Sequence, residues 1–442
     1  MLKRVIYVFL SKVLGYLIKL ALPYVLVRVL ITADYGVYRQ FFLIETFIAT
    51  LFQFGINQSL YYFIPRDNRN AGSYFLNSLS LNVVIFAGIF LIIYFFNDSL
   101  SVALNMPVLT RFFTYLALFT LLLMLNVASD IYLLARQLAK QSAFFEIVGN
   151  FVDCTLPIMA ALLTHDLGDI MLSMVLAKVF RLAMYLGYIH FKLHGFAAHT
   201  YFTGIWPQVR YGLVLGIGGT FWSLMFKMHE LIANKFYGIE DYAMYSVGSH
   251  QLPFLRFYLL SIVSVSLGQF TTMIKENDWA GATELWNKIL ASLYGITIPV
   301  AIGFLVLTKP FIIFMFTEEY AGAVDIFRVN VLTWIHLLWN AQLILRAMNR
   351  NDITVYNHLA HLIVAPFLLY FGMKLFGLMG IISAHCILLI SARLVSVIFL
   401  NRASEMRLAY APSPSAVWEF YREIYSKGRE WLGELGGRRN SD

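Results

Sequence analysis

The chain has 442 residues, 60% hydrophobic and only 13% charged, with a mean hydropathy of +0.70, so it carries too little polar surface to cover a water-soluble globule of this size. Its formal net charge of +8 gathers in loops and in the C-terminal tail, a mark of membrane topology rather than of nucleic-acid binding. The two cysteines, Cys154 and Cys386, both fall in apolar segments, which leaves neither a disulfide framework nor a metal cluster and says nothing about redox compartment.

Twelve apolar stretches of about 20 residues follow one another, each long enough to cross a hydrocarbon core of about 30 Å as a helix. They span 5–30, 39–61, 74–97, 109–133, 144–164, 170–192, 209–235, 243–271, 289–309, 326–347, 353–374 and 377–401. The runs are continuous rather than alternating, which disfavours a β-barrel. The expected fold is an all-α integral membrane protein with about twelve transmembrane helices. The first stretch opens Met1-Leu2-Lys3-Arg4 like a signal peptide. It runs on to about Leu30 with Lys12, Lys19 and Arg28 inside it and no small-residue cleavage site, so it reads as the first membrane helix.

Ionisable side chains in hydrocarbon cost about 2.5 to 3.5 kcal/mol each on insertion scales, so those set deep in a helix are candidate site residues. In helix 1, Lys12 and Lys19 are seven residues apart and share a face two turns from each other; they form a cationic stripe on a cavity or else snorkel to the interface. Helix 2 adds Arg39, Gln40 and Glu45. Asp153, midway along helix 5, is placed to pair with Arg181 or Lys178 of helix 6 as a structural ion pair. Helix 7 carries Lys227, His229 and Glu230. Helix 8 carries His250 and Arg256 around Pro253, which can break a helix and expose backbone to a cavity. Arg39 and His250 also fit an interfacial position. Of the cavity-facing candidates, Lys12, Lys19, Lys227 and Arg256 outnumber Glu45 and Glu230, and a wet, low-dielectric chamber of that sign favours an anion. Glu230, His229 and Glu45 are the candidates for linkage to a proton or sodium ion.

The chain repeats itself. Asp34-Tyr35-Gly36-Val37-Tyr38 returns as Asp241-Tyr242-Ala243-Met244-Tyr245, 207 residues on. Ala71-Gly72 with Leu76 returns as Ala280-Gly281 with Leu285 at an offset of 209, and Gly168, Ile170, Arg181 and Leu182 return as Gly380, Ile382, Arg393 and Leu394 at 212. Three landmarks in one order point to duplication, and two similar bundles facing each other supply a site between them and a way to rock around it. Because Arg181 and Arg393 recur in both halves, they read as fold maintenance. The expected lobes are 1–205 with helices 1–6 and 206–405 with helices 7–12.

With a cytoplasmic N-terminus, the even-numbered loops and both termini hold Lys3, Arg4, Arg66, Arg69, Arg136, Lys140, Lys192, Arg210, Lys275, Lys288 and Arg350. The odd-numbered loops hold Asp34, Asp98, Asp166, Asp169, Glu240, Asp241, Glu318 and Glu319. The positive-inside rule then places both termini in the cytoplasm. The segment 406–442 is expected to be a cytoplasmic tail in which Trp418, Tyr421, Ile424, Tyr425 and Trp431 share one side of an amphipathic helix and Arg422, Lys427 and Arg429 occupy much of the rest. No Walker loop is present, and His229-Glu230 lacks a second zinc ligand because position 233 is Ala.

The Leu30 to Tyr38 turn, Phe54-Gly55 with Leu60-Tyr61, the Asp241 to Tyr245 turn, and the stretch Ile298-Pro299-Val300-Ala301-Ile302-Gly303 leading to Lys309-Pro310, Phe316, Glu319-Tyr320 and Ala323 resemble bacterial polysaccharide and O-antigen flippases of the multidrug/oligosaccharidyl-lipid/polysaccharide (MOP) exporter superfamily. The resemblance covers about residues 5–400. It implies two six-helix lobes in a V around a central cavity, in the bacterial inner membrane, and transfer of a polyprenyl-pyrophosphate-linked oligosaccharide between leaflets by alternating access, without enzymatic chemistry or a cofactor. Lys12, Lys19, Lys227, Arg256, Arg39 and His250 would then face the cargo, with membrane lipids and polysaccharide-assembly proteins as partners and no nucleic acid. Relatives often carry an Asp-Arg-like pair where His229-Glu230 stands and a Gly where Thr317 stands, which leaves the coupling ion open. A cation-coupled multidrug exporter of the same fold and a polysaccharide polymerase or ligase are the alternatives.

Overall fold

The computed structural model describes residues 14–52, 55–193 and 204–439, with side chains described as far as residue 426. Lys12 and the basic Lys3-Arg4 start lie outside the described residues, as do the side chains of Lys427, Arg429 and Trp431. Every regular element among the described residues is helical. The first lobe contains α1 (Ala21–Val29), α2 (Thr32–Phe52), α3 (Ile56–Arg66), α4 (Ala71–Phe95), α5 (Asn97–Leu104), α6 (Phe113–Ala135), α7 (Ala139–Thr164) and α8 (Leu167–Leu193). The second contains α9 (Ile205–Phe236), α10 (Ile239–Gly248), α11 (Phe254–Lys275), α12 (Trp279–Phe316), α13 (Val324–Leu332), α14 (Gln342–Ala347) and α15 (Asn351–Ala403), followed by α16 (Pro414–Arg439).

Among the described residues, eight helices are long and apolar enough to cross a membrane, or nine when the two parts of α9, bent by 45°, count as one span. Twelve unbroken spans are not found, and each difference has a local cause. The first expected stretch is described only from residue 14. The second is divided into α2 and α3 before Gly55, which takes φ +67° and lies so close to α9 that a Cβ there would sit 2.4 Å from the Gly212 carbonyl oxygen. The eighth is broken between α10 and α11, where Pro253 precedes the new helix. The last two share α15, which turns back at Phe376 and Gly377. In a straight helix Gly372 and Gly380 would be about 12 Å apart along the axis, yet a Cβ on Gly380 would stand 1.8 Å from the Gly372 carbonyl oxygen. α15 is a helical hairpin closed by glycines.

The second repeated landmark marks helix starts. Asp67 accepts from the Asn70 backbone N–H at 3.3 Å ahead of α4, and Asp278 from the Gly281 N–H at 2.8 Å ahead of α12, filling donors that a helix start leaves open. The Asn70 side-chain amide, donating to Asp67 at 2.8 Å, together with the Asn70 backbone N–H holds the Asp67 carboxyl below the usual carboxylate range. Large apolar side chains point away from both lobes: Phe95 is 76% exposed, Leu163 77% and Val306 72%, the surface of a chain whose surroundings are hydrocarbon. α16 begins with Pro414 at its first position and Ser413 accepting from the Ala416 N–H at 3.2 Å. It packs on α12, where the Tyr421 hydroxyl donates to the Gly295 carbonyl at 2.6 Å, while Trp418 and Tyr425 stay exposed. Trp286 and Trp339 donate to the carbonyls of Ala409 and Tyr410, binding the approach to α16 onto the same lobe.

Gly380→Ala is expected to lower stability by more than about 3 kcal/mol, since the contact is backbone on backbone. Denaturant midpoints of the purified protein in detergent check it, and an unchanged midpoint would remove the hairpin crossing.

Candidate functional site

Three helices of the first lobe build a cluster of charges around a cavity. Glu146, Asn150 and Asp153 follow at helical spacing on α7, and Lys178 and Arg181 lie one turn apart on the facing α8. Lys178 Nζ donates to Asp153 Oδ2 at 2.6 Å, and Arg181 donates to the same oxygen at 3.1 Å, to Asn150 Oδ1 at 3.2 Å and to Glu146 Oε2 at 3.0 Å. Gly149 leaves room for the guanidinium, because a Cβ there would lie 2.7 Å from Arg181 Nε. From α6, Asn126 donates to the Lys178 carbonyl at 3.1 Å, and Asp130 accepts from Ser142 at 2.6 Å and Tyr185 at 3.2 Å.

Asn126, Asp130, Glu146, Lys178 and Arg181 of this cluster line a cavity of about 480 Å³ that also meets Tyr61 and Lys19. Lys19 is deep in the bundle but exposed, because its side chain opens into this space. Among the described residues it makes no ion pair or hydrogen bond. The charged residues lining the cavity are Lys19, Lys178 and Arg181 against Asp130 and Glu146, with Asp153 set behind them on Lys178 and Arg181. Glu146, which the sequence reading did not single out, had a signal, since it stands seven residues before Asp153 on one helical face, as Lys12 does before Lys19.

A second constellation crosses from lobe to lobe. Lys227 donates to Glu230 at 2.5 Å one turn along α9, so it is engaged rather than free. Glu230 is 3% exposed and feels Arg39 of α2 as well. Glu45 of α2, buried, lies within the fields of Lys178 from the first lobe and Lys227 from the second. His229 shares a hydrogen bond of 2.8 Å with the Tyr245 hydroxyl, and its ring packs 3.9 Å from that of His385. His385 was not foreseen, and nothing in its local sequence marks it. His250 sits at the break before α11, its carbonyl accepting from Asn330 at 3.0 Å. Arg256 is exposed and makes no ion pair or hydrogen bond among the described residues.

At the end of the bundle that carries the acidic loops, the lobes are joined directly. Thr32 donates to Glu319 at 2.5 Å, and Gln40 donates to Asn234 at 2.6 Å. Asn105 donates to the Tyr237 carbonyl at 3.0 Å, and Asn234 returns a bond to Leu104 at 2.9 Å. Arg28 of α1 donates to the carbonyls of Phe314 and Met315 at 2.7 and 3.2 Å, where the C-terminus of α12 favours a cation. The first repeated landmark supplies the seam itself: Gly36 faces the Ile239 carbonyl, where a Cβ would come within 2.6 Å, and Tyr242 donates to the Arg39 carbonyl. At the basic end, the start of α9 stays on the first lobe through Gln208, which donates to Ser78 at 2.7 Å, and through Tyr211 stacked on Tyr62.

The two lobes of membrane helices are thus joined by the seam at the acidic end and by the start of α9 at the basic end. The chain is similar, at a TM-score of 0.72 and 14% identity over 88% of its length and 94% of the other chain, to the inward-facing conformation of a multidrug resistance MATE family transporter of the MOP superfamily. Against an outward-facing conformation described in the same terms the TM-score is 0.62, at 14% identity, covering 91% of this chain and 95% of that one. A MOP superfamily transporter from Pyrococcus furiosus, described by the reverse polarity of its binding pocket, gives 0.61 at 12% identity over 90% and 94% of the two chains. No curated protein matches the chain. Residues 25–325 match the family described as "Polysaccharide biosynthesis protein", and the chain belongs to that family, as the resemblance read from Leu30 to Ala323 implied.

Asp153→Asn is expected to destabilise the first lobe by about 3 to 5 kcal/mol, because two cations with side chains only 10% exposed would lose a shared carboxylate. Unfolding of purified protein in detergent measures it; a loss below about 1 kcal/mol would mean that water already compensates the charges.

Proposed function

We propose that the chain is a flippase, not an enzyme, that carries a polyprenyl-pyrophosphate-linked oligosaccharide from the cytoplasmic to the outer leaflet of the bacterial inner membrane by alternating access. The observation that carries this reading is Lys19, an ammonium without a carboxylate partner opening into a polar cavity deep in a helical bundle. Such a group is held at a price in desolvation that a bound anion offsets, and the family's place in polysaccharide biosynthesis names the class of cargo. Lobes of 1–205 and 206–405, the tail 406–442 and cytoplasmic termini complete the reading. The acidic-loop end then faces outward, and its joined seam corresponds to an inward-facing state, in accord with the better match to an inward-facing relative. Glu230, His229 and Glu45, set where the two lobes meet, are the groups through which a proton or sodium ion would be linked to that movement. A drug exporter taking cations would need deep free acids; Asp153, Glu146 and Glu230 are each paired with a cation, which leaves Glu45 as a buried acid without an ion pair among the described residues.

Lys19→Ala is expected to slow translocation of a lipid-linked oligosaccharide in reconstituted vesicles about tenfold or more, the equivalent of about 1.4 kcal/mol, while Lys19→Arg keeps most of the rate. Wild-type transport by a normally inserted Lys19→Ala protein would remove the assignment. A disulfide between Thr32→Cys and Glu319→Cys is expected to halt transport until it is reduced; full activity while cross-linked would show that the seam does not open.

A further inference from the structure

The duplication brings a second site into view, in the lobe where the sequence showed only a structural arginine. Arg393 stands 212 residues after Arg181, His358 stands 212 after Glu146, and Asn340 stands 210 after Asp130, offsets that match the repeated landmarks on either side. The second lobe therefore holds the same arginine where Glu146 and Asp130 of the first have neutral counterparts, and Asp153, at the same offset of 212, falls on Ala365.

The geometry bears out that exchange. Arg393 is 8% exposed and has no carboxylate within 4 Å among the described residues. Its Nη1 donates to Asn340 Oδ1 at 3.2 Å, its guanidinium lies 4.4 Å from the centre of the Trp222 ring, and its buried Nε has no partner. The charged side chain whose field reaches it is Arg256, which is also positive. His358 supplies no negative charge: its Nδ1 faces the Gly218 carbonyl at 3.0 Å, which needs the proton there, and its Nε2 accepts from Gln342 at 2.6 Å. Its ring lies 5.0 Å from Trp222. A guanidinium withdrawn from water with a like charge nearby and no counter-ion is the costly arrangement for a buried ion, and it persists where something of opposite sign is supplied.

We infer that Arg393, Asn340, Gln342, His358 and Trp222 form a binding site for an anionic saccharide, with Arg393 taking a carboxylate or phosphate on the sugar and the Trp222 face taking its apolar side. The guanidinium fork matches either oxyanion, and an amide pair beside an aromatic face is the equipment that orients a hydroxylated ring. Arg256, exposed on the neighbouring α11, extends the positive field toward the approach. The site deepens the flippase reading by giving the acidic part of the glycan its own lobe, and rests on that reading only for the identity of the cargo.

Binding is measured without transport, by titrating the purified full-length protein in detergent with glucuronic acid, glucose 1-phosphate and glucose. The wild type is expected to bind at least one of the two anions tenfold or more tightly than glucose, and which one wins separates carboxylate from phosphate. Asn340→Asp decides the matter, because it gives Arg393 an internal counter-ion of the kind Arg181 has, keeps the protein folded and is expected to weaken the anion tenfold or more. Arg393→Gln is expected to do the same. Lys288→Ala, which removes an exposed cation paired with Glu284 on α12, is the control and leaves this binding unchanged. Equal binding of anion and glucose by the wild type, or undiminished anion binding by Asn340→Asp, would overturn the site while leaving the transport reading to the Lys19 variants.

Discussion

A charge taken out of water must meet an opposite charge, a polar cavity or a ligand, and the deep residues of this chain sort themselves by which of the three they have. Asp153 serves Lys178 and Arg181 together, with Glu146 taking the far side of the guanidinium. Glu230 takes Lys227 from its own helix. Lys19 has the cavity. Arg393 has an indole face and one amide oxygen, which satisfy geometry but not charge. The helices bring these groups to their partners because spacings of three, four and seven residues hold side chains on one face.

The membrane class and the helical repeat were legible because both are written in long-range composition: runs of about 20 apolar residues and landmarks in a fixed order. The breaks were not. Gly55 divides a span because the Gly212 backbone comes against it, and Gly372 and Gly380 cross because a hairpin closes there; both depend on a partner remote in sequence. The Asp153 pairing was readable from depth and sign, whereas Asp130 and Glu146 lie nearer the ends of their helices and are drawn into the cluster by Tyr185 and Arg181, on a helix remote in sequence. Lys227, read as facing the cavity, is held by Glu230 three residues on, a spacing that pairs side chains on any helix. The meeting of Trp222, His358 and Arg393 needed the fold, because three helical segments bring together residues up to 171 positions apart.

The strongest repeat, Asp34 to Tyr38 and Asp241 to Tyr245, has a geometric explanation. Two duplicated lobes related by a pseudo-two-fold axis put corresponding segments against each other where the axis passes, as an isologous contact does between subunits. α2 and α10 meet in this way, with Gly36 facing Ile239 and Tyr242 reaching the Arg39 carbonyl. Tyr35 continues the contact onto Tyr320, their ring centres 5.7 Å apart. The small residue at the centre of each copy, Gly36 and Ala243, allows the two backbones to approach.

That seam ties conformation to charge. Arg39 lies one residue beyond the first landmark, its Nε buried without a partner, and Glu230 feels it across the lobes. Tyr245, the last residue of the second landmark, holds His229 beside Glu230. Separation of α2 from α10 withdraws Arg39 from Glu230 while the Lys227–Glu230 pair, local to α9, stays intact. Under the alternating access proposed above, parting of the seam would take one positive charge away from Glu230, and an anion held there would lose attraction. A buried, half-satisfied arginine at a hinge of this kind makes the electrostatics of the chamber a function of its geometry, which is the property an alternating-access carrier of an anion requires.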